Sequence, residues 1–448
     1  MAFSAEQIAA FELFVQDKNI FMTGPGGTGK SFLIKKMVEH CKTIGKKCKV
    51  CALTGCAAVL LDCGASTIHA WSGIGTMSSQ DDNIIRRVQQ NKNLKLQWKE
   101  VDTLIIDEVS MMSRRMFELL NLLGQRVRNN RKPFGGLQVV FVGDFFQLPP
   151  IDKDGFCFES GEWFDVFPRE HHIELKTFFR QSDPVYIDIL MKIRKGKLDK
   201  ESIALLEKYV ARDREGPITK IVPMRKQADF INQTEYDKIK DTETNYLSVL
   251  RKDMTTYVAD GRVINPILLA KCASLNEKEV QFELENLIKN NNIIPNLRLK
   301  KGAQVMCTRN LDLSSQVCNG SQGVITDIVN GKPVVTFSNG KKMTMEPSWY
   351  QSDNYPTIAI AQYPLCLAWA LTIHKIQGSS LAQAQIDIGN SIFEFGQTYV
   401  ALSRVKTMEG LYLMNFQPSR IKSDPKVCAF YDSLQTIVPE PRKPESLQ

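Results

Sequence analysis

The sequence predicts an α/β fold built on parallel sheets. In the first half, short apolar runs alternate with helical patterns, which is typical of a doubly wound parallel sheet. A second α/β pattern starts near Ile173, is interrupted at about residue 230 and resumes near Pro364. The interruption ends in short alternating runs separated by Asn-Gly pairs. We therefore expect two parallel-sheet domains, the second of which is split by an inserted β-rich module.

The first-half elements follow from the position of each apolar run. The predicted strands cover residues 19–24, 48–54, 101–107 and 137–144, with helices from Lys30 to about Cys41 and from near Cys56. Between Trp71 and Trp98 lies a polar, charged segment with no clear core face, and we interpret it as an excursion from the sheet. For Trp71 itself we favour a place in the core over stacking on a base.

The inserted module carries the clearest β signal of the chain. The runs "GVITDIV", "PVVTF" and "KKMTME" are separated by Asn330-Gly331 and Asn339-Gly340. Asn-Gly between alternating runs is the strongest short-range signal for a hairpin. Residues 323–346 are therefore predicted to form a three-stranded meander.

Composition limits the class of protein. The chain has 448 residues, 43% of them hydrophobic, which is enough for two to four compact units. The formal net charge of +8 permits a nucleic-acid partner without demanding one. Eleven cysteines without framework spacing indicate an intracellular protein of the cytoplasm, nucleus, mitochondrion or a virus-infected cell. We see no secretory signal and no apolar run approaching about 18 residues, so we expect no membrane span.

One cysteine cluster raises the possibility of a zinc site. Cys48 and Cys51 form a C-x-x-C pair, with Cys56, Cys63 and His69 downstream. The pair lies on an apolar run that resembles a strand entering the core. We therefore favour buried thiols over metal ligands.

The sharpest motif is "GPGGTGKS", Gly24 to Ser31, between a predicted strand and a predicted helix. It fits G-x-x-x-x-G-K-[ST], in which glycines let backbone N–H groups approach phosphate. Lys30 would reach the β- and γ-phosphates of a nucleotide, and Ser31 would bind Mg²⁺. A chance glycine-rich turn is the alternative, and the strand–loop–helix context disfavours it.

Further residues complete the chemistry of a nucleotide hydrolase. Asp107, at a strand end, is placed to hold Mg²⁺, and Glu108 to act as general base. Gln147, after another strand, could sense the γ-phosphate and help to hold the attacking water. Arg180 and Arg404 could supply the cationic charge that the transition state needs. Two such arginines in one chain favour a cleft between two domains over a ring assembly, although a lone arginine is more often a surface ion pair.

The neighbours of these residues are expected to be structural. Asp144 is predicted to fix the Gln147 loop, and Phe145 and Phe146 to pack rather than stack on bases. The basic segments "KTIGKKCK" and "MKIRKGK" are predicted to be solvated surfaces.

Several blocks then occur in a recognisable order. They are "GPGGTGKS", "ALTGCAAVLL", "GASTIHAWSGIG", "IIDEVSMM", "PFGGLQVVFVGDFFQLPP", "FFRQ", "LTIHKIQGSSL" and "GQTYVALSR". In these blocks and in their order, the chain resembles the PIF (petite integration frequency) family of DNA helicases, in the RecD-like branch of superfamily 1. The resemblance spans roughly residues 1 to 416.

The resemblance implies an ATP-dependent DNA helicase that moves 5′ to 3′ on single-stranded DNA, acts on forked DNA, uses ATP and Mg²⁺, and is a monomer in solution. The implied fold has two RecA-like P-loop domains, a small wedge insertion in the first and an SH3-like β insertion in the second. The implied boundaries are 1–71 with 99–172 for the first domain, 72–98 for the wedge, 173–230 with 356–430 for the second domain, 231–355 for the insertion, and 431–448 for a flexible tail.

The resemblance also implies roles for single residues. Gln7 stands where the family recognises adenine. The nucleotide loop comprises Gly24, Pro25, Gly26, Gly27, Thr28, Gly29, Lys30 and Ser31, and the catalytic set Lys30, Asp107, Glu108, Gln147, Arg180 and Arg404. Thr54, His69, His374 and Lys375 fall in motifs that contact single-stranded DNA or couple it to the nucleotide. Ile376 departs from the small polar residue common in the family, which puts a DNA contact there in doubt.

Alternatives stay open at this point. His69 and His374 could equally be buried structural histidines. The chain could be a translocase that displaces proteins without processive unwinding, a nucleic-acid-binding NTPase that works as an assembly, or a regulatory module without turnover.

Overall fold

The computed structural model describes most of the chain, in two compact units. The described residues are 3–61, 63–75, 77, 80–152, 154–213, 218–251, 270, 272–291, 293–309, 311, 317, 320–352, 355 and 357–434. Unit 1 comprises Met1–Arg225 with Leu371–Gln448, and unit 2 comprises Lys226–Ala370. Within these described ranges, every helix is too short or too polar to cross a membrane. The predicted tail from residue 435 onward lies outside the described residues.

The described helices are α1 (Ala5–Val15), α2 (Lys30–Thr43), α3 (Gly55–Leu61), α4 (Ile68–Ser72), α5 (Asp81–Gln90), α6 (Lys92–Glu100), α7 (Arg114–Arg128), α8 (Trp163–Val166), α9 (Pro184–Arg194), α10 (Lys200–Glu207), α11 (Arg225–Asp237), α12 (Glu277–Asn290), α13 (Gln397–Leu402) and α14 (Pro425–Ser433). The strands are β1 (Ile20–Thr23), β2 (Cys48–Ala52), β3 (Ser66–Thr67), β4 (Thr103–Asp107), β5 (Gln138–Gly143), β6 (His172–Glu174), β7 (Lys220–Val222), β8 (Thr244–Leu247), β9 (Val249–Arg251), β10 (Asn296–Leu299), β11 (Gln304–Cys307), β12 (Gln322–Val329), β13 (Lys332–Phe337), β14 (Lys342–Thr344), β15 (Ser348–Gln351), β16 (Ala359–Gln362), β17 (Leu365–Leu367), β18 (Ala370–Thr372), β19 (Ala384–Ile388) and β20 (Leu411–Phe416).

The first sheet is parallel, as predicted, with strand order β3-β2-β4-β5-β1-β6. Its central strands are buried on both faces, so they form continuous apolar runs rather than alternating ones. Successive side chains still point to opposite sides, so Phe21 and Phe141 enter one core while Met22 and Val142 enter the other. The four predicted first-half strands and both predicted helices are confirmed.

The predicted start of the second domain at Ile173 is wrong. Strand β6 pairs in parallel with β1, with Met22 opposite Ile173, and therefore belongs to the first sheet. Strand β6 has three residues, of which only Ile173 is apolar. So short a strand at a sheet edge has the same local pattern as the first strand of a new sheet, so the sequence could not distinguish the two.

The segment between Trp71 and Trp98 does have a core face, contrary to the expectation. It contains α5 and α6, and Ile84 and Val88 are buried in the core that also holds both tryptophans. The spacing of Ile84 and Val88 is one turn of helix, a signal that the polar residues around them obscured. The Trp71 and Trp98 rings lie 4.8 Å apart, so the predicted core position of Trp71 is confirmed.

The second sheet has the order β18-β7-β19-β20, with β7 and β20 both parallel to β19. The chain rejoins this sheet at Ala370, later than the predicted return near Pro364. Strand β17 instead pairs antiparallel with β11, with Met306 opposite Cys366. The interruption therefore extends over 226–370, wider than the predicted 231–355.

The C-terminal helix α14 packs on the first sheet rather than the second. Val427 and Phe430 are buried in the same core as Phe21 and Phe145. Tyr431 places its hydroxyl 2.5 Å from the Thr23 hydroxyl, at the end of β1. The predicted assignment of residues 425–430 to the second domain is therefore wrong, as is the predicted assignment of residues 431–434 to a flexible tail.

Unit 2 is built mainly from antiparallel strands. Its five-stranded sheet has the order β14-β13-β12-β11-β17 and contains the predicted meander, which is confirmed. Asn330 and Gly331 both have positive φ, 52° and 75°, as a tight hairpin turn requires. A three-stranded sheet β15-β16-β9 and a two-stranded sheet β8-β10 complete the described strands of this unit.

The two cysteines of the C-x-x-C pair do not converge. Cys51 is buried in the core on one face of the first sheet, and Cys48 packs against the core on the other face. Opposed side chains on one strand cannot bind the same zinc ion, which supports the buried-thiol interpretation. The side chain of Cys56 lies outside the described part of the chain.

Candidate active site

The predicted nucleotide-binding residues meet at one edge of the first sheet. Gly24 follows β1, Asp107 ends β4 and Asp144 follows β5. The pairing of Thr23 with Gly143 places two of these strand ends side by side. In a parallel sheet the carboxyl ends of the strands form the usual ligand-binding edge.

The nucleotide loop leads directly into α2. Helix α2 begins at Lys30 after Gly29, whose φ of 83° is left-handed, and the described residues include no side chain that caps the helix. The first backbone N–H groups of such a helix are available to an anion. Lys30 Nζ donates to the carbonyl oxygens of Gly24 (2.6 Å) and Pro25 (2.8 Å), across the mouth of the loop. Burial lowers the pKa of Lys30, and a phosphate would oppose that effect.

The predicted acidic pair is strongly perturbed. Asp107 is buried, and burial, followed by the neighbouring Glu108, raises its pKa to about 7. Its Oδ1 accepts a hydrogen bond of 2.9 Å from the backbone N–H of Glu108. Glu108 itself is half-buried and has a φ of 57°, a left-handed conformation that is rare for residues other than glycine. Backbone strain of this kind clusters at functional sites.

The residues present fit Mg²⁺. The Ser31 hydroxyl and the Asp107 carboxylate are oxygen donors, the ligands that Mg²⁺ prefers. A divalent cation beside Asp107 would also favour its ionised form and offset the effect of burial.

Gln147 lies in the loop after β5 and is 4% exposed. Its backbone N–H donates to the Asp144 carbonyl oxygen at 2.8 Å. Its side-chain Oε1 is buried and has no hydrogen-bond partner among the described residues. A buried acceptor of this kind carries a desolvation cost of about 1–3 kcal/mol, which a donor such as a bound water would remove.

The second-sheet segment around α13 packs closely on this loop. Gly396, just before α13, has a φ of 74°, and a Cβ there would clash with the carbonyl oxygens of Phe146 and Gln147. Glycine is therefore required both for the backbone conformation and for the approach.

The two predicted arginines both face the nucleotide loop. A Cβ on Gly26 would lie 3.2 Å from Arg404 Nη2, and one on Gly27 would lie 2.7 Å from Arg180 Cβ. Arg180 Nη1 also donates to the Ser403 carbonyl oxygen at 3.3 Å. Burial, then the neighbouring Arg404, lowers the pKa of Arg180 to about 10, and burial lowers that of Arg404. Two crowded cations beside the backbone amides of the loop form a site suited to a polyanion. The alternative that each arginine forms a surface ion pair is wrong, because Arg404 is 2% exposed and Arg180 lies against the loop.

Three residues at the site were missed in the sequence. Tyr399 Oη accepts a hydrogen bond of 2.8 Å from the Gly26 N–H. Phe179 is 46% exposed, and its ring would lie 3.4 Å from a Cβ on Gly29. Gln377 Nε2 donates to Glu108 Oε2 at 3.1 Å. All three lie in recognised blocks, but only the charged members of those blocks were assigned roles.

A buried ion pair between Arg194 and Asp144 supports the loop that carries Gln147. Arg194, at the end of α9, donates through Nε and Nη2 to the Asp144 carboxylate at 3.0 and 2.8 Å. Asp144 Oδ1 also accepts from the Phe146 N–H, so its predicted role in fixing the loop is confirmed. Arg194 lies in "MKIRKGK", and the prediction that this segment is solvated is wrong for this residue, which is 4% exposed.

Aromatic rings enclose that ion pair. The guanidinium carbon of Arg194 lies 4.5 Å from the centroid of the Phe146 ring, and the Phe146 ring stacks on Tyr431 at 4.7 Å. Phe145 is buried among Phe21 and Phe430. Packing roles for Phe145 and Phe146 are thus confirmed.

The remaining predicted residues lie near strand ends. Thr54, after β2, caps α3 by accepting from the Ala57 N–H at 3.1 Å. His69, in α4, is half-buried, and burial lowers its pKa. Strands β2 and β3 are paired with Ala52 opposite Thr67, so Thr54 and His69 follow neighbouring strand ends.

On the second sheet, His374 and Lys375 are exposed in the turn after β18. The alternative of a fully buried structural His374 is therefore excluded.

Gln7 is buried, and its Nε2 donates to the Thr28 carbonyl oxygen at 3.4 Å, which places it beside the nucleotide loop. The DNA and adenine contacts assigned to these residues stay predictions.

A nucleotide loop on a parallel sheet, with an acidic pair and two arginines of the same chain, defines a P-loop nucleotide hydrolase with two RecA-like sheets. Within that class, residues 3–203 match the family model of the PIF1-like helicase, and residues 283–328 match that of the DNA helicase Pif1 2B domain. The chain is 32% identical to the ATP-dependent DNA helicase Pif1 of Bdellovibrio bacteriovorus over 97% of its own length and 92% of that protein. It belongs to the PIF1-like helicase family.

Other relatives agree with this assignment. The ATP-dependent DNA helicase PIF1 of Danio rerio is 32% identical over 96% of the chain, which spans 64% of that longer protein. The crystal structure of Pif1 helicase from Candida albicans matches with a TM-score of 0.80 and 31% identity, over 97% of this chain and 100% of that one. Pif1 from Bacteroides sp. in complex with ADP-AlF4 matches with a TM-score of 0.72 and 26% identity, over 97% of both chains.

Proposed function

We propose that the chain is an ATP-dependent DNA helicase that moves 5′ to 3′ on single-stranded DNA and unwinds duplex and forked DNA. The observation that carries the proposal is the contact of one nucleotide loop with Arg180, Tyr399 and Arg404 of the same chain. Nucleotide hydrolysis and movement of the two sheets are then coupled through shared residues. Relatives named ATP-dependent DNA helicases support the choice of DNA as the track.

The chain's own residues divide the chemistry of hydrolysis among them. Lys30 and the amides at the start of α2 bind the phosphates, and Arg180 and Arg404 stabilise the charge that develops during transfer. Glu108 accepts a proton from the attacking water, and the free Oε1 of Gln147 orients that water. Ser31 and Asp107 would hold Mg²⁺, which neutralises phosphate charge when bound.

The single-stranded track runs over both sheets of unit 1. Thr54 and His69 follow strands of the first sheet, and His374 and Lys375 follow a strand of the second. Opening and closing between the sheets then changes the spacing of these two sets of contacts once per ATP. The helical pair α5–α6 serves as the wedge, and the five-stranded sheet of unit 2 is the SH3-like module that contacts DNA.

The proposal extends to assembly and location. A monomer in solution is supported by the presence of both arginines in the same chain as the loop. An intracellular location is supported by the nine described cysteines, which are all free thiols.

DNA-stimulated hydrolysis tests the proposal. We expect single-stranded DNA to increase kcat for ATP at least about tenfold, and Lys30→Ala to abolish hydrolysis with and without DNA. Lys36→Ala, an exposed lysine on the same helix, is the matched control and should behave as the wild type. Hydrolysis that is indifferent to DNA in the wild type would contradict the motor, and equal activity in Lys30→Ala would contradict the site.

A further inference from the structure

The turn that follows β18 divides its side chains between two environments. His374 and Lys375 are exposed, whereas Ile376 and Gln377 are 1% and 6% exposed. The buried Gln377 donates its Nε2 hydrogen to Glu108 Oε2 at 3.1 Å. One short turn thus carries the predicted DNA contacts on its outside and holds the proposed catalytic base from its inside.

The backbone of this turn is tightly hydrogen-bonded. The Lys375 N–H donates to the Thr372 carbonyl oxygen at 3.0 Å, the Gln377 N–H to that of His374 at 3.3 Å, and the Ser379 N–H to that of Ile376 at 3.1 Å. Overlapping bonds of this kind make the turn move as one piece. A displacement of its exposed side by DNA therefore also displaces the Gln377 amide.

The Glu108 side of the contact is equally constrained. Its left-handed backbone leaves the side chain few directions, and the Met111 N–H donates to its carbonyl oxygen at 3.2 Å. A carboxylate oxygen that accepts from Gln377 is directed toward the second sheet. Release of that bond frees the oxygen to accept from a water at the nucleotide.

We propose that Gln377 is a positioning residue that restrains Glu108 in the absence of DNA, and that single-stranded DNA on the His374–Lys375 side of the turn releases it. Slow hydrolysis without DNA then results from a held base rather than from weak nucleotide binding. This inference rests on the proposed function, because it requires a DNA-stimulated ATPase. It assigns the stimulation to one exchangeable hydrogen bond.

Steady-state ATPase measurements on the full chain test the inference. We expect Gln377→Ala to raise the DNA-free kcat at least about fivefold, as loss of one hydrogen bond to a charged group allows. The DNA-saturated kcat, the KM for ATP and the Kd for a fluorescent oligothymidylate should each stay within about twofold. The ratio of stimulated to unstimulated rates should therefore collapse toward one.

Two further variants make the result specific. Gln377→Met keeps the length of the side chain but has no hydrogen to donate to Glu108, so it should show the same collapse of the ratio and decides the question if the alanine variant folds poorly. Gln383→Ala removes an exposed amide from the same segment and should keep the wild-type ratio.

The outcomes separate the inference from the function. A wild-type ATPase without DNA stimulation would overturn the proposed function itself. A stimulated wild type with an unchanged ratio in Gln377→Ala, or with both rates lowered equally as a loss of structural support would give, overturns only the role of Gln377.

Discussion

Two polar contacts connect the edge of the first sheet to segments that follow it, and they differ in kind. Asp144 and Arg194 form a bidentate ion pair in which both side chains are at most 4% exposed. Glu108 and Gln377 share one hydrogen bond of 3.1 Å, and Glu108 is half-buried. The first contact has several bonds and enclosing aromatic rings, whereas the second has a single bond.

We call the Asp144–Arg194 ion pair the fixed joint and the Glu108–Gln377 hydrogen bond the exchangeable joint. Breaking a buried ion pair leaves an uncompensated charge. We therefore expect the ion pair between Asp144 and Arg194 to remain formed in the folded protein. A single hydrogen bond contributes only about 1.5–3 kcal/mol even when one partner is charged, which ligand binding can offset. The proposed motor combines both kinds of contact, with a rigid support for Gln147, the predicted γ-phosphate sensor, and a releasable hold on Glu108, the proposed base.

The largest expected effect comes from breaking the fixed joint. Arg194→Ala leaves Asp144 buried without its partner, and we expect it to destabilise the fold by about 3–5 kcal/mol. Chemical denaturation measures this. Lys192→Ala, on the same helix but in exposed ion pairs with Asp188 and Asp199, is the matched control and should change stability little. Comparable losses in the two variants would show that burial does not distinguish the contacts.

The next effect concerns Asp107, the carboxylate predicted to hold Mg²⁺, and depends on pH. The pKa of Asp107 is about 7 in the folded protein and about 4 in an unfolded chain, so the folded state binds the extra proton between these values. Without Mg²⁺, the contribution of Asp107 to wild-type stability should therefore fall as pH rises from 4 to 7. Asp107→Asn removes this dependence, and its stability relative to the wild type should rise by at most about 4 kcal/mol.

Thermal unfolding at pH 5 and pH 8 measures the effect. The melting temperature of Asp107→Asn minus that of the wild type should be larger at pH 8. A difference that does not change with pH would show that Asp107 is ionised in the folded protein at both values.

A smaller effect concerns Gln147, the predicted γ-phosphate sensor, whose loop is supported by the fixed joint. Gln147→Ala should keep ATP binding but lose the stimulation of hydrolysis by DNA, a reduction of about 10–100-fold in the stimulated kcat. Nucleotide titration and steady-state ATPase assays give the two quantities. Normal stimulation in this variant would return Gln147 to a purely structural role.

The smallest effect concerns the C-terminal helix. Tyr431→Phe removes a hydroxyl that contacts Thr23, accepts from the Phe145 N–H at 3.2 Å and donates to Asp144 Oδ1 at 3.3 Å. The substitution leaves Asp144 paired with Arg194. We expect a loss of about 1 kcal/mol in unfolding free energy. A loss as large as that of Arg194→Ala would mean that the hydroxyl, not the guanidinium, holds the joint together.

The sequence predicted features that depend on local pattern. The nucleotide loop, the strands around it and the Asn-Gly meander each have a signature within a few residues, and all three are confirmed. Gln147 was found because it follows a buried strand, and Arg180 and Arg404 because nucleotide hydrolysis needs cationic charge at the transition state.

Features that depend on long-range pairing were not predictable from pattern. Arg194 lies in the basic segment "MKIRKGK", whose composition predicts a solvated surface, and its partner Asp144 is 50 residues away in sequence. Gln377 is likewise a neutral side chain whose role appears only when Glu108, 269 residues away in sequence, is beside it. Helix α14 returns to the first sheet through aromatic packing that no local spacing reveals.

Strand separation on tailed duplexes tests the central claim most directly. Fluorescently labelled duplexes with a 5′ or a 3′ single-stranded tail are incubated with the protein, ATP and Mg²⁺, with Lys30→Ala as the inactive control. The account predicts ATP-dependent unwinding of the 5′-tailed duplex and little of the 3′-tailed one. Hydrolysis without unwinding of either duplex would contradict it.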